Sequence, residues 1–278
     1  MLSRDGRIGV TPTGGVGTRR RSNQCFACFQ YPDSGFVEVP IDVIDGYDYA
    51  LSADGSRSVF TCRFAQVSNV DNIAWVFNAQ GELVFKRQMP RRPLSGPSRP
   101  AISSDGKLLA LDLSPDRSSP DAQGLILVMS GSDGQMLHSI DSRVAGSISF
   151  SPEGDYLCCS GRDGARVFST DDLSELFRLG PETPGFHGRI EFRHMSCNEK
   201  AGLVAIQTVD RSTQPHLWQI RLILKAFGES MVFDKTGLPS LSPEGQFLLV
   251  QHYSLSSGTN WDEPSALPLC IHYISGGE

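Results

Sequence analysis

The apolar residues of this chain fall in short runs, and a recurring polar cluster punctuates them. "LSRDG" (2–6), "LSADG" (51–55), "ISSDG" (102–106), "FSPEG" (150–154), a degraded "SCNEKAG" (196–202) and "LSPEG" (241–245) are its copies. Their closing glycines, Gly6, Gly55, Gly106, Gly154, Gly202 and Gly245, stand 49, 51, 48, 48 and 43 residues apart. One Asp-Gly would mark any hairpin; several copies at a near-constant period predict a repeat protein. In each copy an apolar or small residue ends one strand, and Ser with Pro, Asp or Glu opens a turn. Gly then supplies the positive φ that other residues resist, and an apolar strand follows. Each copy therefore predicts a hairpin.

After a variable loop, a third apolar segment, a second turn and a fourth strand follow in "NIAWVFNAQGELVFKR" (72–87), "LILVMSGSDGQMLHSI" (125–140) and "ARVFSTDDLSELFRL" (165–179). Four antiparallel strands in roughly 45 to 50 residues is the period of a propeller blade. The helical period is nearly absent, and "HLWQIRLILKAFGE" (216–229) is the segment whose pattern also admits a helix. The expected fold class is all-β, with residues 1–278 forming a single β-propeller domain of about six four-stranded blades. The first copy begins at Leu2, so blade one lacks its innermost strand; "LCIHYISGGE" (269–278) ends the chain in or just after the third strand of blade six. Two arrangements fit these incomplete terminal blades: a six-bladed ring with its terminal strands as neighbours, which is favoured, or a fragment of a seven-bladed ring. Open blade edges invite pairing with another chain, so self-association is expected there.

"FSPEGDYLCCSGRDGARVFST" (150–170) resembles the inner strand, turn and following strands of a WD-repeat-like blade, and "VFNAQGELVFK" (76–86) resembles the outer hairpin of quinoprotein-like propellers. The resemblance covers most of the chain at the level of the superfamily. Phe77-Asn78, Met129-Ser130 and Phe168-Ser169 stand where WD repeats carry Trp-Asp, and no Gly-His precedes the first strand, although Phe186-His187-Gly188 lies near that place. The WD hydrogen-bond network and any family-specific partner are therefore not carried over.

Composition fits a folded, turn-rich chain: 39% hydrophobic and 20% charged, with 28 Gly and 17 Pro. The formal net charge of -6 and pI of about 5.5 leave no global footprint for nucleic acid or anionic lipid, so neither partner is expected. The seven Cys are an odd set without framework spacing, and Cys158 and Cys159 are adjacent. That usage predicts free, mostly buried thiols in a reducing compartment and a cytoplasmic location. "MLSRDGRIGV" places charge where a secretory signal needs its apolar core, and apolar runs such as "LILVM" (125–129) are too short to span a bilayer. Neither export nor membrane insertion is expected.

Alternating strands put the tight turns on one rim and the long connections on the other, where function usually sits. Those connections are residues 11–23, 90–100, 114–124, 180–188, 209–215 and 254–268. Two are basic, with Arg19, Arg20 and Arg21 in one and Arg91, Arg92 and Arg99 in the other. Guanidinium forks suit phosphate or carboxylate, so an anionic peptide or phosphate is a candidate ligand; the plainer reading is solvated charge offset by Asp116, Asp121 and Glu182. Trp261, followed by Asp262 and Glu263, is a candidate interface anchor, with packing back over the rim as the alternative. Phe186 and His187 complete the candidate binding set.

Catalytic and metal patterns are weak. Cys25 and Cys28 would point to opposite faces of a strand, "TGGVGTRRR" (13–21) lacks the Lys-Ser/Thr ending of a phosphate loop, and the six His are scattered. The recurring Asp5, Asp54, Asp105, Glu153 and Glu244 shape turns and are not a calcium set. The favoured expectation is a non-catalytic scaffold that binds a protein or peptide on its long-loop rim, with no cofactor. An enzyme with a central-channel site, lactonase-like hydrolase or quinoprotein-like oxidoreductase, is the alternative, by analogy of fold.

Overall fold

The structure, a computed structural model, describes residues 8–13, 24–30, 35–41, 45–63, 73–89, 100–113, 124–142, 145–161, 164–180, 183, 190–198, 202–212, 217–224, 230–233, 237–242, 246–252 and 269–273. These residues hold strands and turns and no helix. The chain divides into two compact units, Met1–Phe150 and Ser151–Glu278.

In the first unit, β1 (Ile8–Thr13), β2 (Gln24–Gln30) and β3 (Gly35–Ile41) form one antiparallel sheet. A second consists of β4 (Asp45–Leu51), β5 (Arg57–Arg63), β6 (Ile73–Asn78) and β7 (Leu83–Gln88). A third holds β8 (Pro100–Ile102), β9 (Leu108–Leu113), β10 (Gly124–Ser130) and β11 (Met136–Ser142), and β12 (Ala145–Phe150) is the unit's last strand. In the second unit, β13 (Tyr156–Gly161), β14 (Gly164–Ser169) and β15 (Glu175–Leu179) run side by side. They are followed by the sheet of β16 (Ile190–Asn198), β17 (Leu203–Asp210), β18 (Leu217–Leu224) and β19 (Ser230–Phe233), then by that of β20 (Gly237–Leu241), β21 (Phe247–His252) and β22 (Leu269–Tyr273). Neighbours in sequence are neighbours in the sheet, which is the meander that the repeat predicts.

Residues 217–224, where the pattern also admitted a helix, are strand. β18 pairs with β17 along its whole length, from Leu203 opposite Leu224 to Asp210 opposite Leu217. The run "LWQIRLIL" carries enough apolar residues for either period, and a long partner strand decides the matter. Cys25 and Cys28 both lie on β2, three positions apart, as expected of a strand rather than a ligand loop.

Where burial is described, it differs between inner and outer strands. β9, β13 and β17 are buried along nearly their whole length on both faces, whereas β7 and β15 are largely exposed. A sheet buried on both faces must be packed between others. In the first unit, Val59, Ala74 and Val76 meet Leu109, Leu111, Leu127 and Met129 in one apolar layer. Phe60 occupies the other face of its sheet, stacked on Tyr49 and edge-on to Phe77. In the second unit, Val167 and Leu179 meet Phe192, Met195 and Ile206, while Ala205 and Ile220 meet Leu248 and Val250 on the next seam. Each fully buried side chain of this size contributes about 1.5–3 kcal/mol.

The cysteine expectation needs correction. Cys158 and Cys197 are joined in a buried disulfide between β13 and β16. Adjacent residues of a strand point to opposite faces, so Cys158 and Cys159 could never act as a pair; each meets whatever the next sheet presents. Cys158 meets Cys197, which no local spacing reveals, and the free-thiol reading fails for these two residues.

The closing glycines of the repeat behave as predicted where they are described: Gly55, Gly106, Gly154 and Gly202 all have positive φ. In three hairpin pairs the second turn has its own left-handed position, held by Gly81, Gly134 and Leu173, the last at φ 56°. A register shift recurs just before it, at Val76/Phe77, Val128/Met129 and Val167/Phe168. Gly134 also lacks space, since a Cβ there would lie 2.6 Å from the Phe85 ring. Gly134→Ala is therefore expected to cost about 2 kcal/mol or more, whereas Leu173→Gly, which relieves a conformation that leucine resists, should gain up to about 1 kcal/mol. Urea unfolding of the two variants beside wild type measures both.

Candidate functional site

The serine of the repeated turn is the residue that holds it. Ser52, Ser103 and Ser151 are almost wholly buried. Each accepts a hydrogen bond at Oγ from the backbone N–H five residues on: Arg57 at 3.0 Å, Leu108 at 2.9 Å and Tyr156 at 3.0 Å. Ser242 does the same for Phe247 at 3.1 Å. In two copies the acidic turn residue joins in, with Ser52 Oγ donating to Asp54 and Ser103 Oγ to Asp105 at 2.6 and 2.8 Å. Asp54 and Asp105 also accept the N–H groups of Ser56 and Lys107. These are local turn-closing bonds, and they give Asp54 and Asp105 a structural part in their turns.

Within each unit the turn edge is stitched from turn to turn. In the first unit the Asp54 N–H donates to the Ser104 carbonyl of the next sheet at 2.9 Å, and the Gly131 N–H to the Lys107 carbonyl at 2.7 Å. Only glycine fits at 106, because a Cβ would lie 2.6 Å from Ser56 Oγ. Arg87 donates to the Gly134 carbonyl. In the second unit Thr170 donates through its N–H and Oγ1 to Asp155 and Gly154. There Asn198 Nδ2 donates to the Ser242 carbonyl at 2.8 Å, and the Leu241 N–H donates to Ser196 Oγ at 3.2 Å.

Within each unit, with the turns on one edge, antiparallel order places the other strand ends on the opposite edge. Arg63 and Ile73, Gln88 and Pro100, and Leu113 and Gly124 are such ends in the first unit; Leu179 and Ile190, Asp210 and Leu217, and His252 and Leu269 are such ends in the second. Segments 64–72, 90–99, 114–123, 184–189, 213–216 and 253–268 begin and finish near these ends. The sequence-predicted site residues Arg91, Arg92, Arg99, Phe186, His187 and Trp261 belong to three of those segments, and Arg19, Arg20 and Arg21 to the β1–β2 connection. All nine lie outside the described residues; what is described is the frame that holds their attachments.

At that edge the Asp210 carboxylate accepts from the Ser212 N–H at 2.8 Å and Oγ at 2.6 Å, closing the end of β17. Ser160 Oγ donates to the Arg193 carbonyl at 2.7 Å, tying β13 to β16. Asp112, one residue from the end of β9, is 3% exposed, and on β18 burial pushes the Arg221 guanidinium below its ordinary value. Sequence reasoning missed both groups; the signal was a single charge inside an otherwise apolar run, in "LLALDL" and "LWQIRLIL". Among the described residues no group of three or more His, Cys, Asp or Glu could hold a metal ion, and no described helix is long and apolar enough to cross a membrane.

The perturbed carboxylates sit on the turn edge and the outer strands. Burial pulls Asp105 up, but bonds from the Lys107 ammonium, the Lys107 N–H and Ser103 outweigh it and hold the carboxyl below its ordinary value. The Gln135 N–H holds Asp133 down, and the Ser174 N–H holds Asp172 down. Glu175 is held down by the Arg178 fork, at 2.6 and 2.8 Å, against partial burial and with help from Arg166 at 2.7 Å. This is turn and sheet chemistry, not an acid–base pair poised for catalysis.

No family model matches the sequence, and no curated protein sequence does. Solved structures do match. TolB from Acinetobacter baumannii is 13% identical with a TM-score of 0.52, over 90% of this chain and 57% of that one. U3-55K is 15% identical at a TM-score of 0.52, over 73% of this chain and 57% of that one. A chain of the mitotic checkpoint complex is 10% identical at 0.63, over 99% of this chain and 72% of that one. The fold is the β-propeller fold. This chain spans 57% of the length of the TolB and U3-55K chains, and at these identities the likeness speaks for fold alone.

Carboxylates depressed in the folded state contribute stability that is present above their unfolded pKa and lost as pH falls through the folded one. With ordinary values of 3.8 for Asp and 4.5 for Glu, the unfolding midpoint should be level above about pH 5 and fall below pH 4.5. A Glu175→Gln chain, lacking one of these contributions, should lose less between the two limbs in a thermal melt series at fixed ionic strength.

Proposed function

We propose that this chain is a non-catalytic scaffold that binds a protein or peptide with anionic groups through the long segments attached to the edge opposite the turns. The observation that supports this reading is the asymmetry of the frame. In each unit buried serines and hydrogen bonds between turns hold the described turns tight on one edge, with close glycine contacts adding to this in the first. In each unit the long connections join the opposite edge, with the arginines in those of the first and Trp261 in those of the second. A rigid sheet that fixes both ends of a loop removes part of the ordering cost of binding, which is how a scaffold turns shape into affinity. One structure of the same fold is a chain of the mitotic checkpoint complex.

In this reading Arg19, Arg20, Arg21, Arg91, Arg92 and Arg99 pair with carboxylate or phosphate groups of the partner. Those six belong to connections of the first unit; on the connections of the second, Trp261, with Phe186 and His187, supplies an apolar contact of its own. The test is fluorescence anisotropy with a panel of acidic and phosphorylated peptides at two salt concentrations. Binding should weaken with salt. Joint charge reversal, Arg20→Glu with Arg92→Glu, should weaken it by roughly tenfold or more, about 1.4 kcal/mol, and Trp261→Ala by a similar factor. Binding unchanged by the charge reversal removes the arginine site. A metal or quinone copurifying with the protein, together with no peptide binding, would instead favour the central-channel enzyme.

A further inference from the structure

We propose that Cys158 and Cys197 are a redox couple whose oxidation staples two neighbouring sheets of the second unit. The two sulfurs lie on facing strands, β13 and β16, inside an apolar layer that includes Val167, Phe192, Met195 and Ile206. The residues are 0% and 3% exposed, 39 positions apart in sequence, with Cα atoms 7.0 Å apart. That separation lies just beyond the roughly 4.4–6.8 Å that disulfides usually span. The apolar layer alone can hold the backbones there, and two thiols behave as small apolar groups in it. Both redox forms therefore fold, and the bond adds to the packing instead of replacing it. Cys159 is buried and outside the disulfide; it points to the opposite face of β13 and cannot compete for Cys197.

Closing a loop of this length removes conformations from the unfolded chain, so the oxidised form is the more stable one. Oxidation takes two electrons and two protons from the pair. A small disulfide such as glutathione disulfide accepts them: one thiolate attacks it and expels one glutathione thiol, and the second cysteine then resolves the mixed disulfide and releases the other. One sulfur–sulfur bond breaks and one forms. Because both sulfurs are buried, either direction requires the β13–β16 seam to open, which makes the exchange slow and dependent on local unfolding.

The full chain is equilibrated in oxidised or reduced glutathione, quenched with acid, alkylated, and mapped by mass spectrometry without reduction; parallel samples are melted. The oxidised sample should contain the linked 158–197 peptide and unfold roughly 5–15 °C higher than the reduced one. Its reduction rate should level off as dithiothreitol is raised, because seam opening sets the limit. Cys159→Ala should keep both the linked peptide and the shift, and Cys158→Ala should lose both. Alkylation of both cysteines in the oxidised sample, equal midpoints in the two buffers, or a shift that survives Cys158→Ala would each overturn the proposal, and the first two need no variant to fold.

Discussion

Strands buried on both faces impose the constraint from which the rest follows. In β9, β13 and β17 neither face reaches water, so every backbone group must be paired within the sheet and the chain can reverse only at the edges. On the edge of the repeated turns reversal is tight, because successive turns bond to one another there, as the Asp54 N–H does to the Ser104 carbonyl. A turn that is both tight and buried needs its own polar partners. The serine at its opening supplies one oxygen to the N–H of the strand that leaves, while a glycine with positive φ brings the chain round. The turn is thus built from the inside, and its exposed acidic residue is secondary.

This arrangement makes the turns part of the packing between sheets. Asp54 bonded to Ser104, and Gly106 set against Ser56, show one turn serving as the seat of the next. Asn198 and Ser242 do equivalent work in the second unit with different groups. Stability in such a chain is a sum over sheets and their seams, so a weakened turn is felt first by its own seam. The recurring left-handed position explains why one turn tolerates Leu173: the register shift before it is common to three hairpins, and the surrounding ladder fixes the geometry against a local preference.

How much could be read in advance follows from the same distinction. The hairpins of the repeat were legible because Gly55, Gly106 and Gly154 answer a local steric demand that recurs at a fixed spacing. The role of Ser103 was half legible, as a turn opener, since its bond to Leu108 spans five residues. The pairing of Cys158 with Cys197 was not legible, because it depends on which face of β13 meets β16. Asp112 and Arg221 were passed over because period-based reading treats a lone charge in an apolar run as noise. The basic and aromatic residues of the long segments were legible only as composition; nothing local dictates what they touch.

The division between a costly frame and inexpensive connections also bears on why binding would belong to the long segments. Extending a connection whose ends are already held costs only the slowly growing entropy of closing it, about 0.6 kcal/mol for each doubling in length. Insertion into the serine-clamped turn would break a buried hydrogen bond and a contact between sheets at once, on the order of 1–3 kcal/mol for the bond alone. Two residues join β13 to β14, whereas sixteen, 253–268, join β21 to β22; both connections serve the same antiparallel step between strands of the same kind. Three doublings of length at that edge cost about as much as one lost clamp at the other. Variation in sequence and length is therefore tolerated on one edge and resisted on the other, and a surface free to vary is the one that can be fitted to a partner.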